Sequence, residues 1–213
     1  FIKNQKLIEL NGPSKSLLSS ERIALNIAMH LSGISTHTYQ MVEKLKNTNI
    51  KLADTRKTTP GLRNLEKYAF KCGGGINHRM GLYDAAMLKE NHIAWSDNIN
   101  NAIKRIRLNV PFTTHIIVEA ENISQAKEAI MAGADSILLD EIEPKLLKEN
   151  IKNLKRMALE SNVRKSKCEL IIEVSGINPE RIENYLIEGI NLISTSSSTT
   201  KSKWIDFSMR YID

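Results

Sequence analysis

The sequence predicts an α/β protein of the (β/α) barrel type, and three observations carry that expectation. From residue 50 onward, about six short apolar runs alternate with amphipathic helical stretches. The runs are continuous rather than alternating in hydrophobicity, as in strands covered on both faces, so the sheet is parallel and flanked by helices. Each run also ends on a polar or charged residue, and in such barrels the strand C-terminal ends build the active site.

In chain order, Leu7-Ile8-Glu9-Leu10 predicts a short strand and Asn11-Gly12-Pro13 a turn. Ser19 or Ser20 caps a helix with Glu21 in its first turn. Ile23, Leu25, Ile27, Ala28, Leu31 and Ile34 give that helix its apolar spacing, and it runs on through Leu45. Ile50–Ala53 is a strand ending at Asp54, followed by a helix from Leu62 to Lys71 with Leu65, Tyr68 and Ala69 on one face. Asp84–Leu88 leads into Lys89, and Ser96–Leu108 is a helix. His115–Val118 ends at Glu119, Ser136–Leu139 at Asp140, Leu170–Val174 at Ser175-Gly176, and Asn191–Ile193 at the Ser194–Ser198 run. Helices over Ser124–Met131, Pro144–Leu159 and Pro179–Ile187 separate them.

A chain of 213 residues with 41% hydrophobic content supports one substantial core. Its net charge of +6 comes from 30 basic residues interspersed with 24 acidic ones, with aromatics at 5%. No Lys/Arg block or nucleic-acid motif stands out, so the charge fits small anions better than nucleic acid. No apolar run reaches membrane-spanning length, and no partner membrane is expected. Two cysteines, Cys72 and Cys168, make no disulfide framework, and a reducing cytoplasm is the expected setting. The sequence opens without Met and is expected to be part of a longer chain.

The densest chemistry lies between Asp54 and Arg79, where Arg56, Lys57, Arg63 and Arg79 accompany His78 and the Gly73-Gly74-Gly75 run. Arg and Lys grip carboxylate and phosphate, and glycine allows close backbone approach. With Lys89 they form a pocket for a multiply anionic small molecule. Glu119 and Asp140, at consecutive strand ends, tolerate such a substrate by binding a hard cation such as Mg²⁺, sugar hydroxyls or a developing positive charge. Cations plus an acid pair suit a sugar phosphate whose anomeric carbon becomes positive in the transition state. Ser175-Gly176 and the Ser194–Ser198 run follow the last two strands, where barrels often hold a monophosphate.

Those residues resemble a known family. Glu21-Arg22-x-Ala24-Leu25-Asn26, Asp54-Thr55-Arg56-Lys57-Thr58-Thr59-Pro60-Gly61-x-Arg63, Gly73-Gly74-Gly75-x-Asn77-His78-Arg79 and Lys89-x-Asn91-His92 are similar to quinolinate phosphoribosyltransferase, from about residue 19 to the end. The resemblance implies conversion of quinolinate and phosphoribosyl pyrophosphate to nicotinate mononucleotide, pyrophosphate and CO₂, with Mg²⁺, in de novo NAD synthesis. It implies an open, seven-stranded α/β barrel after an N-terminal α/β sandwich domain. A homodimer or larger assembly with shared active sites is implied as well. Residues 1–18 are then the end of the sandwich domain, 19–48 connecting helices and 49–213 the catalytic barrel.

Position by position, Arg56, His78, Arg79 and Lys89 resemble the residues holding the two quinolinate carboxylates. Arg22 resembles the Arg that enters the neighbouring subunit's site. Lys57, Glu119 and Asp140 resemble the catalytic contacts to phosphoribosyl pyrophosphate and its metal, the two acids reaching Mg²⁺ directly or through water. Ser175 and Gly176 resemble part of the 5′-phosphate site, to which Ser196 and Ser197 are added. Arg63 becomes a structural residue. The chain departs from the family where Gly, an apolar residue and Thr-His-Ser are usual: it has Ser196-Ser197-Ser198-Thr199-Thr200-Lys201, whose hydroxyls or Lys201 can compensate.

Overall fold

The first strand, β1 (Lys51–Ala53), pairs in parallel with the last, β6 (Leu192–Ser194), with Lys51 opposite Leu192 and Ala53 opposite Ser194. Between them come β2 (Ala85–Leu88), β3 (His115–Ala120), β4 (Ser136–Asp140) and β5 (Ile171–Ser175). The ladders are parallel and the order across the sheet is β1-β6-β5-β4-β3-β2. Joining first to last makes a ring of consecutive neighbours that breaks only between β1 and β2. This is the open barrel. At the break Ile76 bridges β1: its N–H donates to Leu52 O (2.9 Å), and its carbonyl accepts from Asp54 N–H (3.2 Å). The structure is a computed structural model describing residue 2, residues 5–161 and residues 169–212. Cys168 therefore lies outside the described residues.

The helices are α1 (Ser14–Leu45), α2 (Arg63–Cys72), α3 (Glu90–Ala94), α4 (Ile99–Asn109), α5 (Ile123–Met131), α6 (Pro144–Glu160) and α7 (Ser197–Thr200), with a 3₁₀ helix over Pro179–Tyr185. Asn98 and Asn122 cap α4 and α5 by accepting from Asn101 N–H (2.8 Å) and Gln125 N–H (2.9 Å). Each cap contributes about 1 kcal/mol and sets the helix start, in place of the expected Ser96 and Ser124.

The continuous apolar strands resolve into two faces. Ile116, Val118, Ile137, Leu139, Ile172, Val174 and Ile193 point outward into the main core, shared with Ala102 and Ile103 of α4 and Leu147 and Ile151 of α6. Each such side chain contributes about 1.5–3 kcal/mol by leaving water. On the opposite face Ala85, Ile117 and Leu138 form a small apolar cluster with Met87 inside the barrel. Farther along that inner face stand Glu119, Asp140 and Ser175.

Three expectations need correction. Leu7–Leu10 forms no strand: Leu7, Ile8 and Leu10 are exposed and lack the neighbour a ladder requires. The first helix starts at Ser14, so Ser19 and Ser20 lie inside it, donating to Lys15 O (2.6 Å) and Ser16 O (2.9 Å) rather than capping. Its buried stripe is Met29, Gly33, Ile34, Thr38, Met41 and Leu45, while Ile23 and Ile27 face outward. Finally, α2 buries Glu66, Lys67, Ala69 and Phe70 and exposes Leu65 and Tyr68. The charged residues can be buried because each has a side-chain partner, Lys67 the buried Asp54 and Glu66 the half-buried His30.

Candidate active site

Asp54, the first residue past β1, organises the loops that follow β1 and enter the sheet break. Its Oδ1 pairs with Lys67 Nζ and accepts from His78 N–H (2.8 Å), and its Oδ2 accepts from Asn77 Nδ2 (2.7 Å). Lys67 Nζ also donates to His78 O (3.3 Å). One buried carboxylate thus clamps the β1 end, α2 and the segment entering the sheet break. Glu66 holds the other side of the loop, accepting from Thr59 N–H (3.0 Å) while its second oxygen meets His30 Nε2 of α1 (2.8 Å). Arg63 binds Thr58 Oγ1 (3.1 Å), Arg56 O and Met80 O. That is the structural role expected for it.

The triple glycine serves packing. A Cβ on Gly75 would fall 2.1 Å from Phe70 Cε1, and one on Gly73 2.4 Å from Ser35 O. The run lets α2 close against α1 and turn into the break; this corrects its reading as an anion cradle.

At the break, His78 and Arg79 enter the barrel. Arg79 N–H donates to His78 Nδ1 (2.8 Å), so that nitrogen carries no proton and Nε2 bears the hydrogen it directs at Glu173 Oε2 (3.0 Å). Both ring nitrogens are engaged within the protein, so His78 holds its neighbours rather than presenting a free donor. Arg79 donates to Ala85 O (2.9 Å) through Nη1. Burial lowers its guanidinium pKa from the ordinary range, the Arg56 cation lowers it further, and Glu119 opposes both. Arg56, Arg79 and Glu119 therefore share one electrostatic neighbourhood. His78 and Arg79 also line a cavity of about 500 Å³ inside the barrel, with His115, Ser136 and Glu173, toward the strand starts rather than the Glu119 rim.

Lys89, just past β2, places Nζ 2.6 Å from Glu119 Oε2. Its N–H donates to His92 Nδ1 (3.1 Å), which closes the first turn of α3. Glu119 lies opposite Leu138, so Asp140 stands two residues farther along, about 6–7 Å. Asp140 lies opposite Ser175, whose hydroxyl donates to Asp140 Oδ1. Gly176 follows with φ +71, and a Cβ there would meet Asp140 Oδ1 at 3.0 Å and Glu141 Cγ at 2.4 Å. Lys89, Glu119, Asp140, Ser175 and Gly176 form one continuous rim over adjacent strands.

Lys57 is exposed at the mouth, and its carbonyl accepts from Thr199 Oγ1 (2.8 Å), tying the β1 loop to α7. Ser196 is half-buried beside it. Ser197 points elsewhere: its N–H donates to Thr195 Oγ1 (3.1 Å) and its buried hydroxyl lies against Met41 Sδ (3.6 Å). Ser197 and Ser198 seat α7 on α1, so the Ser197 hydroxyl expected at a phosphate is turned inward, while Ser196 is half-buried and Lys201 exposed. Arg22 stands apart, exposed on α1 about 10 Å, seven residues, before Met29, the helix's first buried residue.

The sequence assigned no role to Glu173, or to Lys67 and Glu66, whose Glu66-Lys67-Tyr68-Ala69 stretch also resembles the family. Glu173 carried a usable signal, an acid amid Ile171-Ile172 and Val174 in a buried strand. For Lys67 and Glu66, α2 periodicity pointed to the wrong face.

Residues 34–210 match the family model described as quinolinate phosphoribosyl transferase, C-terminal domain. The chain is 40% identical over 208 residues to a probable carboxylating nicotinate-nucleotide pyrophosphorylase of Methanothermobacter thermautotrophicus, covering 96% of this chain and 72% of that one. The Bacillus subtilis protein of the same name is 41% identical, with 97% and 68% covered. Among solved structures, NadC from Streptococcus pyogenes superposes with a TM-score of 0.83 at 41% identity, covering 94% of this chain and 66% of that chain. The Francisella tularensis nicotinate-nucleotide pyrophosphorylase gives 0.78 at 36%, with 91% and 65% covered. A family match across most of the chain, joined to this identity and this shared barrel, places the chain in the quinolinate phosphoribosyl transferase family.

Proposed function

We propose that the chain is a decarboxylating phosphoribosyltransferase that converts quinolinate and phosphoribosyl pyrophosphate to nicotinate mononucleotide, pyrophosphate and CO₂ in NAD biosynthesis. The observation that carries this reading is the rim of Lys89, Glu119, Asp140 and Ser175 at adjacent strand ends, to which Arg56 and Arg79 bring further positive charge. Two guanidiniums share one electrostatic neighbourhood, and among the described residues neither makes an ion pair with an acid. Such a pair favours a doubly anionic ligand over a monocarboxylate.

In this reading Arg56, Arg79 and Lys89 hold the quinolinate carboxylates and present the ring nitrogen to the sugar. Glu119 and Asp140 face the anomeric carbon and stabilise positive charge as pyrophosphate departs. Lys57 meets the diphosphate at the mouth, while Ser175, Gly176 and Ser196 receive the 5′-phosphate. Loss of the 2-carboxylate follows, helped by the quaternised nitrogen and the surrounding cations. No covalent nucleophile is required.

Among the described residues no cluster of three acids, histidines or cysteines could hold a metal by itself. Two carboxylates in a phosphate pocket do fit Mg²⁺, which is commonly bound through one or two acids plus substrate phosphates. Glu119 and Asp140 would hold it, and it would neutralise the leaving diphosphate. We place the enzyme in the cytoplasm as a homodimer or larger assembly. Arg22, on a stretch of α1 that buries little within the chain, would serve a neighbouring subunit's site. No helix among the described residues is long and apolar enough to cross a membrane.

The test offers the complete polypeptide quinolinate or nicotinate, each with phosphoribosyl pyrophosphate and Mg²⁺. Nicotinate mononucleotide should form from quinolinate and not from nicotinate. Absence of product from quinolinate overturns the proposal.

A further inference from the structure

Glu173 is an acid at the centre of a barrel strand, 2% exposed. Among the described residues its Oε2 meets His78 Nε2 and its Oε1 has no partner at all. Burying an acid with a single hydrogen bond costs free energy that an apolar residue at the same place would not. Its neighbours on the same inner face, Ile171 and Leu138, show that apolar residues are accommodated there. A position kept at a stability cost points to work done for the site.

We infer that Glu173 is a positioning residue for the acid-binding pocket, acting through His78 on Arg79. With Nδ1 accepting from Arg79 N–H, His78 can engage Glu173 only as a donor from Nε2. Glu173 therefore selects the Nε2–H tautomer, and that tautomer leaves Nδ1 free to receive the Arg79 backbone. The chain of contacts runs from the middle of β5, across the barrel, to the residue whose guanidinium rests on Ala85 O. Asp54 fixes the same segment from the opposite side through His78 N–H. The main chain is thus held on both sides of the histidine, at the His78 N–H by Asp54 and at the Arg79 N–H by the His78 ring. Removing Glu173 frees the ring to turn or to exchange tautomers, and the Arg79 guanidinium then loses its fixed approach to a bound acid.

The effect on catalysis rests on the proposed quinolinate reading, whereas the tautomer does not, and the experiment separates them. Long-range ¹⁵N–¹H spectra of the wild-type complete chain should show His78 as Nε2–H. Glu173→Leu should lose that signature, while Glu173→Gln, which still offers an oxygen acceptor, should retain it. In steady-state assays Glu173→Leu should raise KM for quinolinate about tenfold, with KM for phosphoribosyl pyrophosphate within about twofold. Glu173→Gln should stay near wild type in both. An Nδ1–H or doubly protonated His78 in the wild type overturns the inference, and so does an equal rise in both KM values. If Glu173→Leu fails to fold, the wild-type spectrum and a Glu173→Gln variant with strongly raised quinolinate KM or a changed tautomer still decide against it. The expected spectra without turnover of quinolinate would sink the functional reading and leave the positioning role standing.

Discussion

Lys67 and Asp54 form a fully buried ion pair, 1% and 2% exposed, on which the loop after β1 and the segment entering the sheet break converge. Asp54 also receives Asn77 Nδ2 and His78 N–H, so its charge has three protein partners. Lys67→Met leaves that carboxylate without its cation and should cost about 3–5 kcal/mol, read from urea unfolding. Adding Asp54→Asn should recover part of the loss. A single variant as stable as wild type would show that the pair contributes nothing.

Arg79→Ala separates the two substrates. Charged hydrogen bonds contribute about 1.5–3 kcal/mol, so KM for quinolinate should rise about 10–100-fold. KM for phosphoribosyl pyrophosphate should change by less than about threefold, since Lys57, Ser175 and Ser196 remain in place. Equal losses would contradict the division of roles.

Gly176 and Glu141 are coupled across the β4 and β5 ends. Glu141 holds φ +53 and Gly176 φ +71. Gly176→Ala introduces a side chain against both Glu141 and Asp140, so it should lower stability by about 1–2 kcal/mol and displace Asp140. A tenfold or larger fall in kcat is expected. Glu141→Asn, a residue tolerant of this conformation, should raise the melting temperature slightly. Unchanged kcat in Gly176→Ala would show that Asp140 does not depend on this contact.

His37 gives stability a pH dependence. It sits on α1 with Nδ1 3.4 Å from Ser198 Oγ of α7, and burial pushes its pKa down. The unfolded chain then binds more protons than the folded one just below the ordinary histidine range. Its contribution is fully present above the ordinary histidine value of 6.5 and is lost as pH falls below it through the lowered folded-state value. His37→Asn should flatten this part of a plot of urea midpoint against pH. Identical slopes in both proteins would assign the dependence elsewhere.

Much of the barrel was legible because strand ends are marked by composition. Glu119, Asp140 and Ser175 each close an apolar run, and the structure sets them along one rim. Periodicity failed where polar residues are buried in pairs. α2 turns Glu66 and Lys67 inward because His30 and Asp54 await them, and those partners lie far away in sequence. The glycine run suggested a ligand because glycine marks any close approach, whether to phosphate or to Phe70. Ser197 and Ser198 were misassigned for a related reason: hydroxyls cap and pack as readily as they bind anions, and only the α1 contact distinguishes the uses.

The pairing of β1 with β6 joins residues about 140 positions apart, a long loop to close before either strand has its ladder. Among the described residues that precede β6, the backbone partner of β1 is the bridge at Ile76. The Arg56 and Lys57 loop, anchored to Thr199 beyond β6, inherits that delay. Arg56 and Lys57 therefore precede by about 140 residues the strand and helix that hold their loop.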